Sequence, residues 1–566
     1  MKDTYIIGLN IGNHDSSACL LKNGEIVTYI EQERISRNKL AIGEAPIDAL
    51  KCCLDKEGIS LSDVEAIAVG MDWAYRKDVY KEPKKESDKY LRFNDPDWFL
   101  PQNIFGSVRP KIHIVRHHYA HAASAYRVSG FDECAILVVD NRGEDASTSL
   151  GCTKDGQITF FKQINIQNSL GVFYNRACRY TGLYGKYREV GKFMGLASYG
   201  NPNINMPLKP SRDSNLFKDL SDVGYFSVYD SLQKRTEQLN DYFTKNCFPF
   251  ESGNSNEIMS YANFAASAQN ALENVLLDFV AELKEKTGLD NLVMAGGVTL
   301  NCSANGKIEQ SGLFKNIYIP PFASDAGTAI GAALETYYKL HGRTTPSKVL
   351  HSAALGLSYK KNDIILALEK EKINLSYKIF ENEDLYQVVA QYLSEGKIIA
   401  WMQGAFEAGP RALGNRSILA DPRSRKSLIK LNNIKQREMW RPIAPSVLVE
   451  YYEDYFYGKS DNKFFMNVAT KVKRNKQNLI PAVVHVDETA RPQIVTIDNE
   501  RYYKLIKAFH ENTGIPVICN TSFNLRGVPL VNTPENAINC FINSDIDYLV
   551  IENILVFKKE YNYDNF

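Results

Sequence analysis

The chain has 566 residues, 44% hydrophobic and 23% charged, a globular balance with length for two to four domains. Sixty-seven Lys and Arg against 66 Asp and Glu leave a net charge of +1, so no long-range field favours nucleic acid or an anionic membrane. The first apolar run is short and is broken by Asn10, Asn13, His14 and Asp15, unlike a signal peptide, and no stretch reaches the roughly 18 apolar residues of a membrane span. Ten scattered cysteines without a C-x-x-C pair read as reduced thiols of a cytoplasmic protein.

In chain order, residues 5–9 form an apolar strand, followed by a polar loop from Asn10 to Ser16. A second strand reaches Lys22, Asn23-Gly24 makes a hairpin turn, and residues 25–30 form a third strand. The plan recurs about 130 residues later: strand 135–140 ending in Asp140, polar loop 141–147, a strand to the turn Asp155-Gly156, and strand 157–161. Two such units predict a duplicated fold. Alanines and leucines at three- and four-residue spacing predict a helix over 262–287. Residues 291–301 read as a buried strand running into Gly296-Gly297, and 324–333 as a loop opening a helix of small residues. Residues 342–352 read as an exposed connection, a second domain begins near 375, and 458–477 reads as a surface loop within it.

Four of the nine histidines lie between 113 and 121. On a helix, His117 and His121 share a face at a spacing that chelates a metal. Asp140 at a strand end and Asp325 in a small-residue loop could complete the set, which suits Fe(II), Mn(II) or Zn(II); a histidine cluster packed under a turn is the alternative. Gly296-Gly297 suits close backbone approach to a nucleotide. Over the glycine-containing stretch 189–200, Lys192 could meet a phosphate; the alternative is a loop with a solvated lysine. In the second domain, GlyProArgAlaLeuGlyAsnArgSer (409–417) carries Arg411 and Arg416 beside glycines, suited to bidentate anion recognition. A run of basic residues follows, from Arg423 through Arg437 to Arg441, many of them plain surface charges. Lys435, Arg441 and Arg491 stand nearest apolar sequence, and Ser522 and Asn520 lie at a strand end.

With these residues assembled, the chain resembles the O-carbamoyltransferases of the NodU/CmcH type over essentially its whole length. The matching elements are HisAspSerSerAla (14–18), GlnGluArg (32–34), HisHisTyrAlaHisAla (117–122), SerLeuGly (169–171), GlyLysPheMetGlyLeuAlaSerTyrGly (191–200), AlaGlyGlyValThrLeuAsn (295–301), residues 409–417, LysGlnArgGluMetTrpArgPro (435–442) and AsnThrSerPheAsn (520–524). The chain departs from the family pattern at Asn141-Arg142-Gly143, where small residues are usual, and at Trp440 and Ile443, where Phe is usual.

The resemblance implies an α/β protein. Its N-terminal domain, about 1–355, would be a duplicated actin/sugar-kinase/heat-shock-ATPase-like (ribonuclease-H-like) carbamoyl-transfer domain. A C-terminal YrdC-like domain, about 375–566, would form carbamoyl adenylate from carbamoyl phosphate and ATP. The implied metal ligands are His117, His121, Asp140 and Asp325, holding Fe(II) or another divalent ion, with Mg(II) accompanying ATP. The implied adenylating site is Arg411, Lys435, Arg441, Arg491 and Ser522, with Arg441 and Lys435 catalytic and with Arg416 and Asn520 as motif neighbours. Lys192, Gly296 and Gly297 would contact cofactor, and His14 would assist deprotonation of the acceptor. The acceptor would be a hydroxylated small molecule of natural-product (antibiotic-like) or oligosaccharide type, met by segments 72–108 and 201–260. Neither nucleic acid nor membrane is an expected partner, and a homodimer is possible. The competing readings are a sugar kinase, which would release ADP, a threonylcarbamoyl-type tRNA-modifying enzyme, and a nucleotide-binding regulator without catalysis.

Overall fold

The computed structural model describes residues 3–81, 90–183, 189–210, 212, 214–223, 227–247, 258–342, 349–381, 383–461 and 463–559. Parts of the segments 72–108 and 201–260, and of the connection 342–352, lie outside the described residues. The chain divides into two compact units. One comprises Met1–Gln32 and Leu40–Leu350; the other comprises Glu33–Lys39 and His351–Phe566.

The first unit contains two five-stranded sheets. The strands of the first are β1 (Tyr5–Asn10), β2 (Ser17–Lys22), β3 (Glu25–Glu31), β4 (Val64–Val69) and β5 (Lys111–Ile114). Those of the second are β6 (Ala135–Val139), β7 (Ala146–Lys154), β8 (Gln157–Asn165), β9 (Asn291–Ala295) and β10 (Asn316–Tyr318). Their orders are β3-β2-β1-β4-β5 and β8-β7-β6-β9-β10, the same pattern twice. In each, the first strand runs antiparallel to the second and parallel to the fourth. The duplication expected from sequence is therefore present as repeated strand order. Both hairpins turn as the sequence predicts: Asn23-Gly24 has φ of 53° and 83°, and Asp155-Gly156 has φ of 49° and 74°, the left-handed pair of a type I′ turn.

The predicted long helix spans Ala262–Thr287 and stops at Gly288, whose φ is 66°. The helix Thr328–His341 lies almost backbone to backbone with its neighbours. A Cβ on Gly331 would fall 1.8 Å from the Ala120 carbonyl oxygen. That contact fixes the position of the helix His117–Tyr126. Within 189–200, where a loop with a solvated Lys192 is the alternative to a phosphate contact, the chain forms the helix Val190–Ala197, with Phe193 and Leu196 fully buried. The apolar side chains at three-residue spacing outweigh the glycines.

The second unit is built on eight strands: β11 (Leu375–Ile379), β12 (Ile399–Met402), β13 (Arg416–Ala420), β14 (Ala444–Leu448), β17 (Gln493–Val495), β18 (Val517–Ser522), β19 (Tyr548–Ile551) and β20 (Ile554–Lys558). A separate pair, β15 (Thr470–Lys471) and β16 (Thr489–Ala490), completes the count. The large sheet is mixed, in the order β11-β20-β19-β12-β13-β18-β14-β17, around a core that includes the fully buried Trp401. The segment 458–477 is not a plain surface loop: Lys463, Phe465, Met466 and Val472 are buried.

Candidate functional site

In the first unit, the loops that follow β1 and β6 stand at the carboxyl ends of equivalent strands, where open α/β sheets bind ligands. The loop after β1 carries His14 and Asp15; β6 leads into Asp140. The helix His117–Tyr126 supplies His117 and His121 from its first two turns. Asp325 begins the short turn Asp325–Gly327 that leads into the helix Thr328–His341.

His117, His121, Asp140 and Asp325 each offer one atom within 4.8 Å of the others. His117 Nε2 is 3.1 Å from His121 Nε2 and 3.6 Å from both Asp140 Oδ2 and Asp325 Oδ1. His121 Nε2 is 3.5 Å from Asp325 Oδ1. Two atoms bound at about 2.1 Å to one ion are separated by about 3.0–3.4 Å, so these gaps of 3.1–3.6 Å match or slightly exceed those around a shared cation. His117 Nδ1–H donates to the Gly70 carbonyl at 3.1 Å, which turns the Nε2 lone pair toward the cluster. Two imidazole lone pairs facing each other at 3.1 Å repel unless a proton or metal lies between them.

Electrostatics agree with that need. Burial alone would pull the His117 imidazole down, but Asp140 and Asp325 hold it well above the ordinary histidine range. Burial would push both carboxyls up. His117 and His121 outweigh it for Asp325, which is held well below the usual carboxylate range; Asp140 is lowered too, mainly by His117, despite the repulsion of Asp325. The Gly297 N–H donates to Asp140 Oδ1 at 3.1 Å. Gly296, with φ of 95°, lets β9 close on β6: a Cβ there would sit 2.3 Å from the Val139 carbonyl oxygen. Lys192 is paired with Glu189 at 2.5 Å. The sequence reading missed Glu144, a buried carboxylate that accepts the backbone N–H groups of His117 and Asp72, each at 2.9 Å. Nothing in its local sequence marks it.

The second unit holds a basic site. Lys435 caps the helix Arg425–Ile434 and is buried. Its ammonium donates to Ser522 Oγ at 3.0 Å, to the Ser522 and Asn524 carbonyls at 2.6 Å each, and to Asn524 Oδ1. Burial and then the charges of Arg437 and Arg441 hold Lys435 well below the ordinary lysine range. Arg437 is pushed down to about 9 by burial, Arg441 and Arg491. Arg441 thus acts on both Lys435 and Arg437, and Arg491 on Arg437, with Glu438 3.9 Å from Arg441. Arg437 was not separable in sequence from the surface charges around it. Arg411 lies in the 409–417 turn, which Glu407 Oε1 organises by accepting the N–H groups of Leu413, Asn415 and Arg416.

Arg416 and Asn520 have structural work instead. Arg416 is fully buried and donates to the carbonyls of Gln403, Asn415 and Gly404. Asn520 donates to the Ala412 carbonyl, Ser446 Oγ and Gln493 Oε1. None of the ten cysteines forms a disulfide, and among the described residues no helix is long and apolar enough to cross a membrane.

The first unit thus carries a His/Asp cluster on a duplicated α/β framework, and the second a Lys/Arg cluster on a mixed sheet. Residues 5–334 match the family model for the carbamoyltransferase N-terminus, and residues 390–558 match that for the carbamoyltransferase C-terminus. The chain belongs to the carbamoyltransferase family, NodU/CmcH type, and is an enzyme of that kind. It is 35% identical to the nodulation protein NolNO of Sinorhizobium fredii, over 96% of this chain and 79% of that one. An uncharacterised protein of Synechocystis is 34% identical, over 98% and 97% of the two chains. A ROK hexokinase from Thermus thermophilus covers 60% of this chain and 100% of its own at 14% identity, but its TM-score of 0.33 adds nothing to the strand order.

Proposed function

We propose that the enzyme makes carbamoyl adenylate from carbamoyl phosphate and ATP in a YrdC-like second unit, and passes the carbamoyl group to a hydroxyl of a small molecule in an actin/sugar-kinase-like first unit. The observation that carries this reading is the cluster of the buried Lys435 with the partly buried Arg437, Arg441 and Arg491. Lys435 and Arg437 are lowered by burial and by the cations beside them, a charge excess that a polyanion compensates, and both carbamoyl phosphate and ATP are polyanions. Water releases phosphate from carbamoyl phosphate to leave carbamate, whose oxygen attacks the α-phosphorus of ATP as the bond to pyrophosphate breaks; Arg411, Arg441 and Arg491 bind phosphate oxygens, while Lys435 and Ser522 orient the carbamate against the nucleotide.

In the transfer step the acceptor oxygen attacks the carbamoyl carbon. The bond from that carbon to the AMP oxygen breaks, and the acceptor proton leaves to a base. His14, whose Nδ1–H is directed by Asp15 at 3.0 Å, is the candidate for that proton. His117, His121, Asp140 and Asp325 hold a divalent ion, Fe(II) or another, which when bound polarises the carbonyl as a Lewis acid. Gly297 and Lys192 remain candidates for contact with the intermediate. Mg(II) accompanies ATP, and the reduced cysteines suit the cytoplasm.

The test is to incubate the protein with ATP, Mg(II) and carbamoyl phosphate without acceptor and to separate the nucleotides. AMP or carbamoyl adenylate that depends on carbamoyl phosphate, and is lost in Arg441→Ala, supports the reading. ADP instead would favour a sugar-kinase-like phosphotransferase.

A further inference from the structure

The two oxygens of Asp325 face different partners. Oδ1 lies 3.6 Å from His117 Nε2 and 3.5 Å from His121 Nε2. Oδ2 lies 3.9 Å from His14 Nδ1, which is itself 3.0 Å from Asp15 Oδ2. His14, Asp15 and Asp325 each offer one ligand atom within 4.8 Å of the others. A carboxylate with one oxygen in each of two ligand sets is the bridge of two-metal centres, whose ions lie about 3.5–4 Å apart.

Charge points the same way. Asp15, Asp140 and Asp325 are three carboxylates, and among the described residues none of them forms an ion pair with Lys or Arg. With neutral histidines, one divalent ion leaves the group at −3 + 2 = −1; a second brings it to +1, the sign a phosphate-bearing intermediate needs. The donors are also held in place. The Asp15 N–H donates to the Leu40 carbonyl at 2.6 Å, Asn10 Nδ2 donates to the Asp15 carbonyl at 2.7 Å, and Trp73 Nε1 donates to the Ile11 carbonyl at 2.8 Å. His14, Asp15 and Asp325 are 29%, 23% and 21% exposed, which leaves an open side for water or substrate.

We propose that His14, Asp15 and the second oxygen of Asp325 form a second divalent-cation site, bridged by Asp325 to the site of His117, His121 and Asp140. The assignment rests on reading the first cluster as a metal site. With Nδ1 on a cation, His14 no longer takes the acceptor's proton, so the two roles are separable by experiment.

Full-length protein stripped with a chelator is titrated with Mn(II) and read by electron paramagnetic resonance. Two Mn(II) per chain with a spin-coupled signal are expected in the wild type. Asp15→Asn, which keeps a side chain that tolerates the φ of 59° at this position, is expected to bind one Mn(II) and lose the coupled signal with an unchanged circular dichroism spectrum. One Mn(II) in the wild type, or two uncoupled ions that Asp15→Asn does not alter, overturns the second site and leaves the first. No bound Mn(II) overturns both. If Asp15→Asn misfolds, the coupling in the wild type decides alone.

Discussion

Arg437 is one of seven basic residues between 423 and 441, and in sequence it looks no different from Arg425 or Lys430. The fold separates them: Arg437 Nε donates to Asn432 Oδ1 at 2.6 Å, and burial together with the charges of Arg441 and Arg491 pushes Arg437 down to about 9. Arg437→Met is expected to cut AMP formation on the order of 10–100-fold, the worth of one charge-assisted contact of about 1.5–3 kcal/mol. Without ligand, its melting temperature should hold or rise, because one of four like charges is gone. A loss of both activity and melting temperature would mean a structural role. His118 makes a second case. It is pushed down to about 3 by burial and by His117 and His121, and its Nδ1 lies 2.7 Å from Ser149 Oγ. Below its ordinary pKa of about 6.5 the unfolded chain takes up a proton that the folded chain refuses. Stability from this residue is complete above that pH and is lost as pH falls toward 3. In His118→Asn, which keeps a partner for Ser149, the slope of stability against pH between 4 and 6 should be shallower by up to about 1.4 kcal/mol per pH unit. Denaturant titrations at several pH values measure it.

At the scale of elements, the His/Asp centre depends on how closely the helix Thr328–His341 approaches the helix His117–Tyr126. Gly331→Ala places a methyl group where the Ala120 carbonyl oxygen stands, at 1.8 Å. Overpacking of this kind costs about 1–3 kcal/mol. It also moves His117 and His121 away from Asp325, so both melting temperature and metal content should fall; a normal metal content would separate the packing from the site. Much of this level is legible in sequence. The Asn23-Gly24 and Asp155-Gly156 turns, the strand ends before the polar loops, and the i, i+4 histidines are all local signals, and they locate the centre. The helix Val190–Ala197 is short and carries two glycines, so Phe193 and Leu196 alone do not mark it in sequence. The packing role of Gly331 and the capping role of Glu144 depend on partners far away in the chain, and no local pattern reports them.

At the scale of the molecule, the repeated strand order is legible from two hairpins, but the division of the chain is not. Glu33–Lys39 carries no mark that it belongs with residues 351–566. The reason lies in two arginines. Arg34 Nη2 donates to the Gly409 carbonyl at 2.7 Å, and Arg37 donates to the carbonyls of Leu530 and Pro529 at 2.5 and 2.7 Å. Arg34 is buried and also pairs with Glu33 at 2.6 Å, and burial and then Arg34 lower the partly buried Arg37.

That seven-residue excursion also sets a clock for biosynthesis. Arg34 leaves the ribosome 375 residues before Gly409. At 5–20 residues per second it waits roughly 20–75 s for its partner. The first hairpin and the local bonds after it, such as that of the Arg37 N–H to the Glu33 carbonyl at 3.1 Å, can close in that interval, whereas the two arginine side chains wait until the last third of the chain emerges. A fragment started at residue 351 never receives the two arginines, and it leaves the carbonyls of Gly409, Pro529 and Leu530 without those donors.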